Sequence, residues 1–241
     1  MRAKKFTSIC RDAAYFIKNK KSYLENIYLK EASCLHYSHD SMGSLERAIK
    51  RMTDVVCALF GLVLLSPLFL VIAVLLRFQH DGRVFFSQER IGYGGRPFTI
   101  YKFRTLSSMV EDEGPQLISD PDLSQSTKVE RFIRRHHLDE LPQLWNVLKG
   151  DMSLVGPRPE RRYFIEKIME HTSDYELIYE MRPGLTSEAT LYNGYTDTME
   201  KMLKRLEMDI RYLENRSLWM DFKIVMNTIF FLLSGKVGVG G

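Results

Sequence analysis

Asp139 and Glu140 are adjacent carboxylates, with Arg131, Arg134 and Arg135 just upstream and the corner Gly156-Pro157-Arg158-Pro159 just downstream. A carboxylate kept ionised and oriented can attack phosphorus, and guanidinium groups around it offset the charge of the phosphate under attack. Most Asp-Glu pairs are surface residues and most basic helix faces are merely solvated. The two cationic clusters that flank this pair set it apart. Prolines on both sides of Arg158 fix it at low entropic cost, which suits a phosphate contact. Arg182-Pro183-Gly184 is a second rigid cationic turn, and Lys102 near the end of a predicted strand is a further candidate phosphate contact.

These side chains need elements to hold them. A helix is predicted over Thr127–His137, which puts Arg131, Arg134 and Arg135 at i, i+3 and i+4, on one face. It must weaken before Pro142, because the residue ahead of a proline avoids the α region. A new helix then starts with Pro142 in its first turn and stops at Gly150. Asp139 and Glu140 therefore fall at a helix–helix junction, beside the positive end of the second helix. Upstream, Val84-Phe85-Phe86 and Phe98-Thr99-Ile100-Tyr101 are short β-type runs around Gly92-Tyr93-Gly94-Gly95, which predicts a hairpin. Those glycines fail the spacing of a dinucleotide fingerprint at Pro97 and read as turn residues.

Ahead of the hairpin stands Val55–Leu76, an apolar run of about 22 residues without a charge, about 33 Å long as straight helix. That length would span a bilayer. Ser66-Pro67 breaks it at the midpoint, where proline removes a backbone hydrogen bond and imposes a kink. Basic residues flank both ends, Lys50 and Arg51 before, Arg77 and Arg83 after, so the positive-inside rule assigns no orientation. A helix that enters, bends at Ser66-Pro67 and returns to the same side satisfies both facts; a kinked span remains the alternative.

The rest of the chain supplies packing. An amphipathic helix is predicted over Tyr163–Tyr179, a charged one over Met199–Asn215, and a last one over Leu218–Leu233 capped by Ser217. Trp219, Phe222, Phe230 and Phe231 suit that last helix either to the core or to a membrane interface. Residues 111–125 read as an acidic surface loop and residues 8–29 as a weakly amphipathic helix. Cys34, His36 and His39 are close together but have no second ligand cluster, so a surface loop is the better reading. A net charge of +4 over 241 residues excludes a nucleic-acid polycation, and three scattered cysteines suit a reducing compartment. The first residues are basic and polar and do not read as a signal peptide. The expected architecture is α+β and mainly helical: an extension of unknown role over 1–45, a re-entrant membrane helix over 46–80, and a body over 81–241 with a small β-hairpin among amphipathic and interfacial helices.

Four stretches taken together, VFFSQERIGYGGRPFTIYKFRT, LDELPQLWNVLKGDMSLVGPRPE, MRPGLT and LEMDIRYLENRSLWMDFKIV, with the Ser-Pro break in the apolar helix, resemble the bacterial sugar transferase family of monotopic polyprenol-phosphate phosphoglycosyl transferases. The resemblance covers about residues 46–235. It implies an enzyme at the cytoplasmic face of the bacterial inner membrane that moves a sugar-1-phosphate from a UDP-sugar to undecaprenyl phosphate, releasing UMP, with Mg²⁺ as cofactor. It further implies Asp139 as the nucleophile that carries the phosphosugar, Glu140 beside it, and both carboxylates as candidates to hold the metal. The family's cations fall on Lys102, Arg134, Arg158 and Arg182. The chain departs from the family pattern at His136-His137, at Leu185–Thr190 and at Leu106, which bears on the sugar rather than on the chemistry. Two other readings compete: a conventional sugar-nucleotide glycosyltransferase, which would release UDP and needs a larger nucleotide-binding domain, and a non-enzymatic membrane scaffold, which would lack the Asp-Glu pair.

Overall fold

The computed structural model describes residues 40–79, 82–105, 126–194 and 196–234. The expected helix over 8–29, the Cys34/His36/His39 loop and the acidic loop over 111–125 lie outside them. Helix α1 (Ser44–Leu64) runs into α2 (Ser66–Arg77), and the two axes meet at a bend of 59°. Pro67 sits in the first turn of α2, where a missing N–H costs nothing, and Ser66 Oγ donates to the Val63 carbonyl at 2.8 Å, which caps the break. No single helix among the described residues is long and apolar enough to cross a membrane, whereas the bent pair together has that length and composition. Its outer face is bare: Leu59, Phe60, Val63, Leu64, Leu70 and Val71 are all exposed. A buried core helix would not leave such residues open.

The hairpin forms as the sequence predicts. Strands β1 (Phe85–Ile91) and β2 (Pro97–Phe103) pair antiparallel, with Phe86 opposite Lys102 and Ser87 opposite Tyr101. Gly94 and Gly95 turn the chain at φ of 65° and 70°, conformations that cost glycine nothing. Helix α3 (Lys128–Arg135) is capped by Thr127, whose Oγ1 accepts from the Glu130 N–H while the Glu130 carboxylate accepts from the Thr127 N–H at 2.8 Å. A 3₁₀ turn at Leu138–Glu140 leads to α4 (Gln143–Lys149), which Gly150 ends at φ 99°.

A second, parallel pair of strands, β3 (Ser153–Val155) and β4 (Gly184–Thr186), is too short to leave a period in the sequence. It brings the Gly-Pro-Arg-Pro corner against the Arg-Pro-Gly turn. A Cβ on Gly184 would lie 2.1 Å from the Gly156 nitrogen, and one on Gly156 would lie 2.3 Å from the Arg182 carbonyl oxygen. Only glycines allow the two corners to touch.

The helix expected over Tyr163–Tyr179 is a correction. It breaks into α5 (Arg162–Met169) and a 3₁₀ stretch over Asp174–Glu180. Residues 170–174 are all polar, and Thr172 Oγ1 accepts from the Asp174 N–H at 3.2 Å, a local bond that competes with the helical one. Helices α6 (Glu188–Tyr192), α7 (Met199–Asn215) and α8 (Leu218–Ser234) complete the body. The largest core cluster joins α5, the 3₁₀ stretch and α7, with Leu213 fully enclosed. A second cluster sets Ala58 of α1 on Ile100, Leu144, Val147 and Met152, and a third sets Ile72 and Leu76 of α2 on Phe103 and Ile133. The bent pair thus rests on the same strand and helices that carry the acidic pair. Asp40 and Ser41, within the expected extension, are tied to the end of α7: Asp40 pairs with Arg216 at 2.5 Å and the Ser41 N–H donates to the Leu213 carbonyl at 3.2 Å.

Candidate active site

The 3₁₀ turn that carries Asp139 and Glu140 begins at His137, which holds a φ of 50°. A left-handed conformation is uncommon for a residue with a side chain. Here it lets the His137 N–H bond to the Arg134 carbonyl at 2.9 Å and turns the next three residues towards β2. Lys102 of β2 meets them: its Nζ donates to Glu140 Oε1 at 2.5 Å, and Arg158 Nη2 reaches the same oxygen at 3.2 Å. Arg158 leaves the rigid Pro-Arg-Pro corner, so cations from two separate elements converge on one carboxylate oxygen.

The two carboxyls are driven apart. Burial alone would raise the Glu140 pKa, but Lys102 and Arg158 outweigh it and hold Glu140 ionised well below the usual carboxylate range. Glu140 in turn raises the Arg158 pKa, while burial lowers that of Lys102 against the pull of Glu140. Asp139 behaves in the opposite way. Burial, with the Glu140 charge added, lifts it to about 6, although Lys102 and Arg134 pull it down. Among the described residues no lysine or arginine lies within ion-pair distance of the Asp139 carboxylate. Burial also lowers the His137 pKa, with Arg158, Lys102 and Arg134 adding to that shift. The outcome is one carboxylate locked as a permanent anion beside another that is weakly solvated, unpaired and ionised above about pH 6, which are the properties of a nucleophile.

Of the six site residues named from sequence, the structure gathers Asp139, Glu140, Lys102 and Arg158 by direct contact or adjacency, and Arg134 acts on Asp139 through its charge. Arg182 is held elsewhere. Its Nε donates to the Gly150 carbonyl at 3.0 Å and its guanidinium lies 5.4 Å from the Tyr93 ring centre, at the far end of α4 from the acidic pair. Ser66 and Pro67 form the bend. For a metal, no cluster of three or more His, Cys, Asp or Glu exists among the described residues.

Sequence reasoning missed the residues behind this set. Asn146 is fully buried; its Nδ2 donates to the Thr99 carbonyl at 2.7 Å and its Oδ1 accepts from the Tyr101 N–H at 3.2 Å. It thereby locks α4 to the strand that delivers Lys102, and an asparagine amid apolar helix positions was the available signal. Behind Arg158, Glu160 joins Arg90 at 3.6 Å and Arg205 at 3.4 Å, with Asp209 on the far wall of a small cavity. Burial lifts Asp209 to about 7, with Glu160 adding and Arg205 opposing. The folded protein therefore holds a proton that the unfolded chain releases near pH 4, so this group's contribution to stability falls as pH rises from about 4 through 7. Asp209→Asn is expected to match the parent in thermal denaturation near pH 4 and to exceed it by on the order of 4 kcal/mol at pH 8. A parallel pH profile for both proteins would refute that assignment.

The model of the bacterial sugar transferase family matches residues 45–235. An Aeromonas hydrophila UDP-N-acetylgalactosamine-undecaprenyl-phosphate N-acetylgalactosaminephosphotransferase is 40% identical over 205 residues, 83% of this chain and 48% of that protein. The UDP-glucose:undecaprenyl-phosphate glucose-1-phosphate transferase of Escherichia coli K12 is 40% identical over 191 residues, covering 78% of this chain and 41% of its own length. The enzyme of the same name from Caulobacter vibrioides is 40% identical over 188 residues, 77% of this chain and 70% of that protein. The chain thus spans about half or less of the first two relatives and most of the third. With a matched region that takes in the bent helix pair, the hairpin and the acidic pair, the chain belongs to the bacterial sugar transferase family.

Proposed function

We propose that this protein transfers a sugar-1-phosphate from a UDP-sugar to undecaprenyl phosphate through a covalent intermediate on Asp139, as the first membrane step of a bacterial glycan pathway. The observation that carries the reading is the division of labour in the acidic pair: Glu140 is tied to Lys102 and Arg158, and Asp139 is left unpaired and ionised above about pH 6. The relatives' names supply the donor and acceptor classes.

In the first half, an Asp139 carboxylate oxygen attacks the sugar-bearing phosphorus. The bond from that phosphorus to the bridging oxygen breaks, and UMP leaves with the oxygen and the electron pair. In the second half, an oxygen of the polyprenyl phosphate attacks the same phosphorus and Asp139 departs as a carboxylate. Neither half needs a proton. Lys102, Arg134 and Arg158 would offset charge on the phosphates, and Arg158, partly exposed beside Glu140, would touch both donor and acceptor. The site fits Mg²⁺ of the kind that takes one or two carboxylates together with substrate phosphates, because both cations touch Glu140 at Oε1 and leave Oε2 and Asp139 for it. When bound, Mg²⁺ would neutralise diphosphate charge. Arg182, which stands apart from the pair, suits a role at the corner of the two loops rather than at the reacting phosphorus.

The bare faces of α1, α2 and α8 (Trp219, Phe222 and Phe230 are exposed) support insertion of the bent pair as a re-entrant helix from the cytoplasmic face of the inner membrane. That brings the acidic pair to headgroup depth, where a lipid phosphate presents itself. The test is to incubate the protein with Mg²⁺ and a panel of UDP-sugars without acceptor. The expected result is one equivalent of UMP and a phosphosugar on the Asp139 peptide by mass spectrometry; release of UDP, or no adduct with any donor, overturns the reading.

A further inference from the structure

One cavity opens beside the reacting groups and has no part in the steps above. It encloses about 220 Å³ and reaches His137, Glu140 and Arg158 at one end. Its walls are Leu141, Leu154 and Leu185 on one side and Val225, Ile229 and Leu232 of α8 on the other. We infer that this cavity seats the first isoprene units of the polyprenyl phosphate acceptor, next to its phosphate; the inference rests on the reaction proposed above.

Three observations point to an apolar tail with an anionic head. The charged and titratable groups of the lining, Arg158, Glu140 and His137, all belong to the reacting site, and an acceptor phosphate beside them stands next to the attacked phosphorus. The cavity's hydroxyls are already committed: Thr228 Oγ1 donates to the Ile224 carbonyl at 2.8 Å and meets Thr186 Oγ1 at 2.8 Å, while Thr190 Oγ1 meets Ser187 Oγ at 2.9 Å. A pyranose bound there would find too few partners for its several hydroxyls along the aliphatic lining, a cost an isoprene does not incur. The volume also lies below the roughly 300–1,000 Å³ of pockets that take whole drug-sized ligands, so a nucleotide sugar does not fit, whereas a short piece of chain does.

Position decides the source of that chain. Leu154 and Leu185 pack against the cluster built on Ala58 of α1, together with Leu62 and Leu65, and Leu141 packs against the cluster that holds Ile72 and Leu76 of α2. One wall therefore stands on the bend of the apolar pair. The opposite wall includes Ile229, which is also exposed on the outer face of α8 beside Phe230. The cavity lies between the two apolar surfaces that contact lipid, and a prenyl chain passes into it from the bilayer without crossing water.

The experiment separates the two half-reactions in the full chain, in lipid nanodiscs. Val225→Phe and, separately, Leu232→Phe fill the cavity from two turns of α8. With donor alone, each is expected to give the parent's single-turnover burst of UMP within about twofold. Discharge of the adduct by undecaprenyl phosphate is expected to slow at least tenfold, whereas discharge by methyl phosphate, which has no tail to seat, stays at the parent's rate. A burst that falls along with discharge assigns the cavity to the donor sugar and overturns the inference, as does undiminished discharge. If the phenylalanine variants do not fold, a photoreactive polyprenyl phosphate on the unaltered protein decides: labels are expected on peptides spanning 185–191 and 225–232, and labels only on 59–75 overturn it. An unaltered protein that gives no burst at all sinks the proposed reaction instead, so the two failures are distinct.

Discussion

Asp139→Asn is expected to yield a folded protein that sediments with membranes and transfers no sugar phosphate: no UMP burst, no adduct, and turnover reduced at least 10³-fold. An amide oxygen is a poor nucleophile and cannot form a stable phosphoryl ester, so the loss is one of mechanism rather than of binding. The fold has no reason to suffer, because among the described residues no ion pair holds the Asp139 carboxylate and the substitution removes a negative charge next to Glu140. The parent's pH profile is the companion measurement. The reacting form is the ionised carboxylate and its pKa stands at about 6. The rate of the UMP burst should therefore rise about tenfold per pH unit below 6 and level off above it. Glu140 titrates far lower and contributes no inflection in that range. Substantial transfer by the Asn variant, or a burst rate flat from pH 5 to 8, would remove Asp139 from the role of nucleophile.

How far the site could be read in advance depended on what kind of interaction each residue makes. The convergence on Glu140 was visible as charge: Lys102 at a strand end, an arginine between two prolines, and carboxylates at a helix junction are local patterns. The hairpin, the break at Ser66-Pro67 and the Ser217 cap of α8, whose Oγ accepts from the Met220 N–H at 3.2 Å, were legible for the same reason, since glycine, proline and a serine cap act within a few residues. The parallel pair β3–β4 was not, because three-residue strands carry no periodicity and the contact between Gly156 and Gly184 is a fact of tertiary structure. Nor was the separation of Arg182 from the acidic pair, although the two are joined by motif. The break after Met169 was overlooked because an apolar period continues across it, through Ile168, Tyr175 and Ile178, while the polar run between breaks the backbone. Least visible were Asp54, Asp209 and Asp221. Each reads as an ordinary surface residue of an amphipathic helix, and only the packing of α1, α7 and α8 reveals that all three are buried.

Asp54 and Asp221 lead to the second large effect. Lys50, one turn before the uncharged run of α1, is 8% exposed; its Nζ donates to Asp221 Oδ2 at 2.6 Å and lies 3.8 Å from Asp54 Oδ1. Tyr212 donates its hydroxyl to the other oxygen of Asp221. Asp54 in turn accepts from Ser153 Oγ at 2.7 Å and from the Leu154 N–H at 3.1 Å. One buried cation thus joins α1 to α8 and, through Asp54, to β3, the strand that leads into the Arg158 corner. Lys50→Met leaves two enclosed carboxylates without their ion-pair partner, with only the longer-range charges of Arg51 on Asp54 and Arg216 on Asp221, and the expected loss is about 3–5 kcal/mol of unfolding free energy. In Lys50→Met/Asp221→Asn one of those charges is gone and the tyrosine keeps a partner, so the double variant should recover at least half of the loss. Chemical denaturation in detergent measures both. A Lys50→Met protein within 1 kcal/mol of the parent would show that the carboxylates escape to water and that the network does not clamp the helix. The clamp matters for chemistry because an isolated apolar helix has no preferred angle to the body it anchors. A charge-bearing joint at the start of the apolar run fixes that angle and, under the re-entrant arrangement proposed above, the depth at which Arg158 and Asp139 would meet a lipid phosphate. Lys50→Met is therefore expected to weaken discharge of the adduct more than its formation, since only the acceptor depends on that depth.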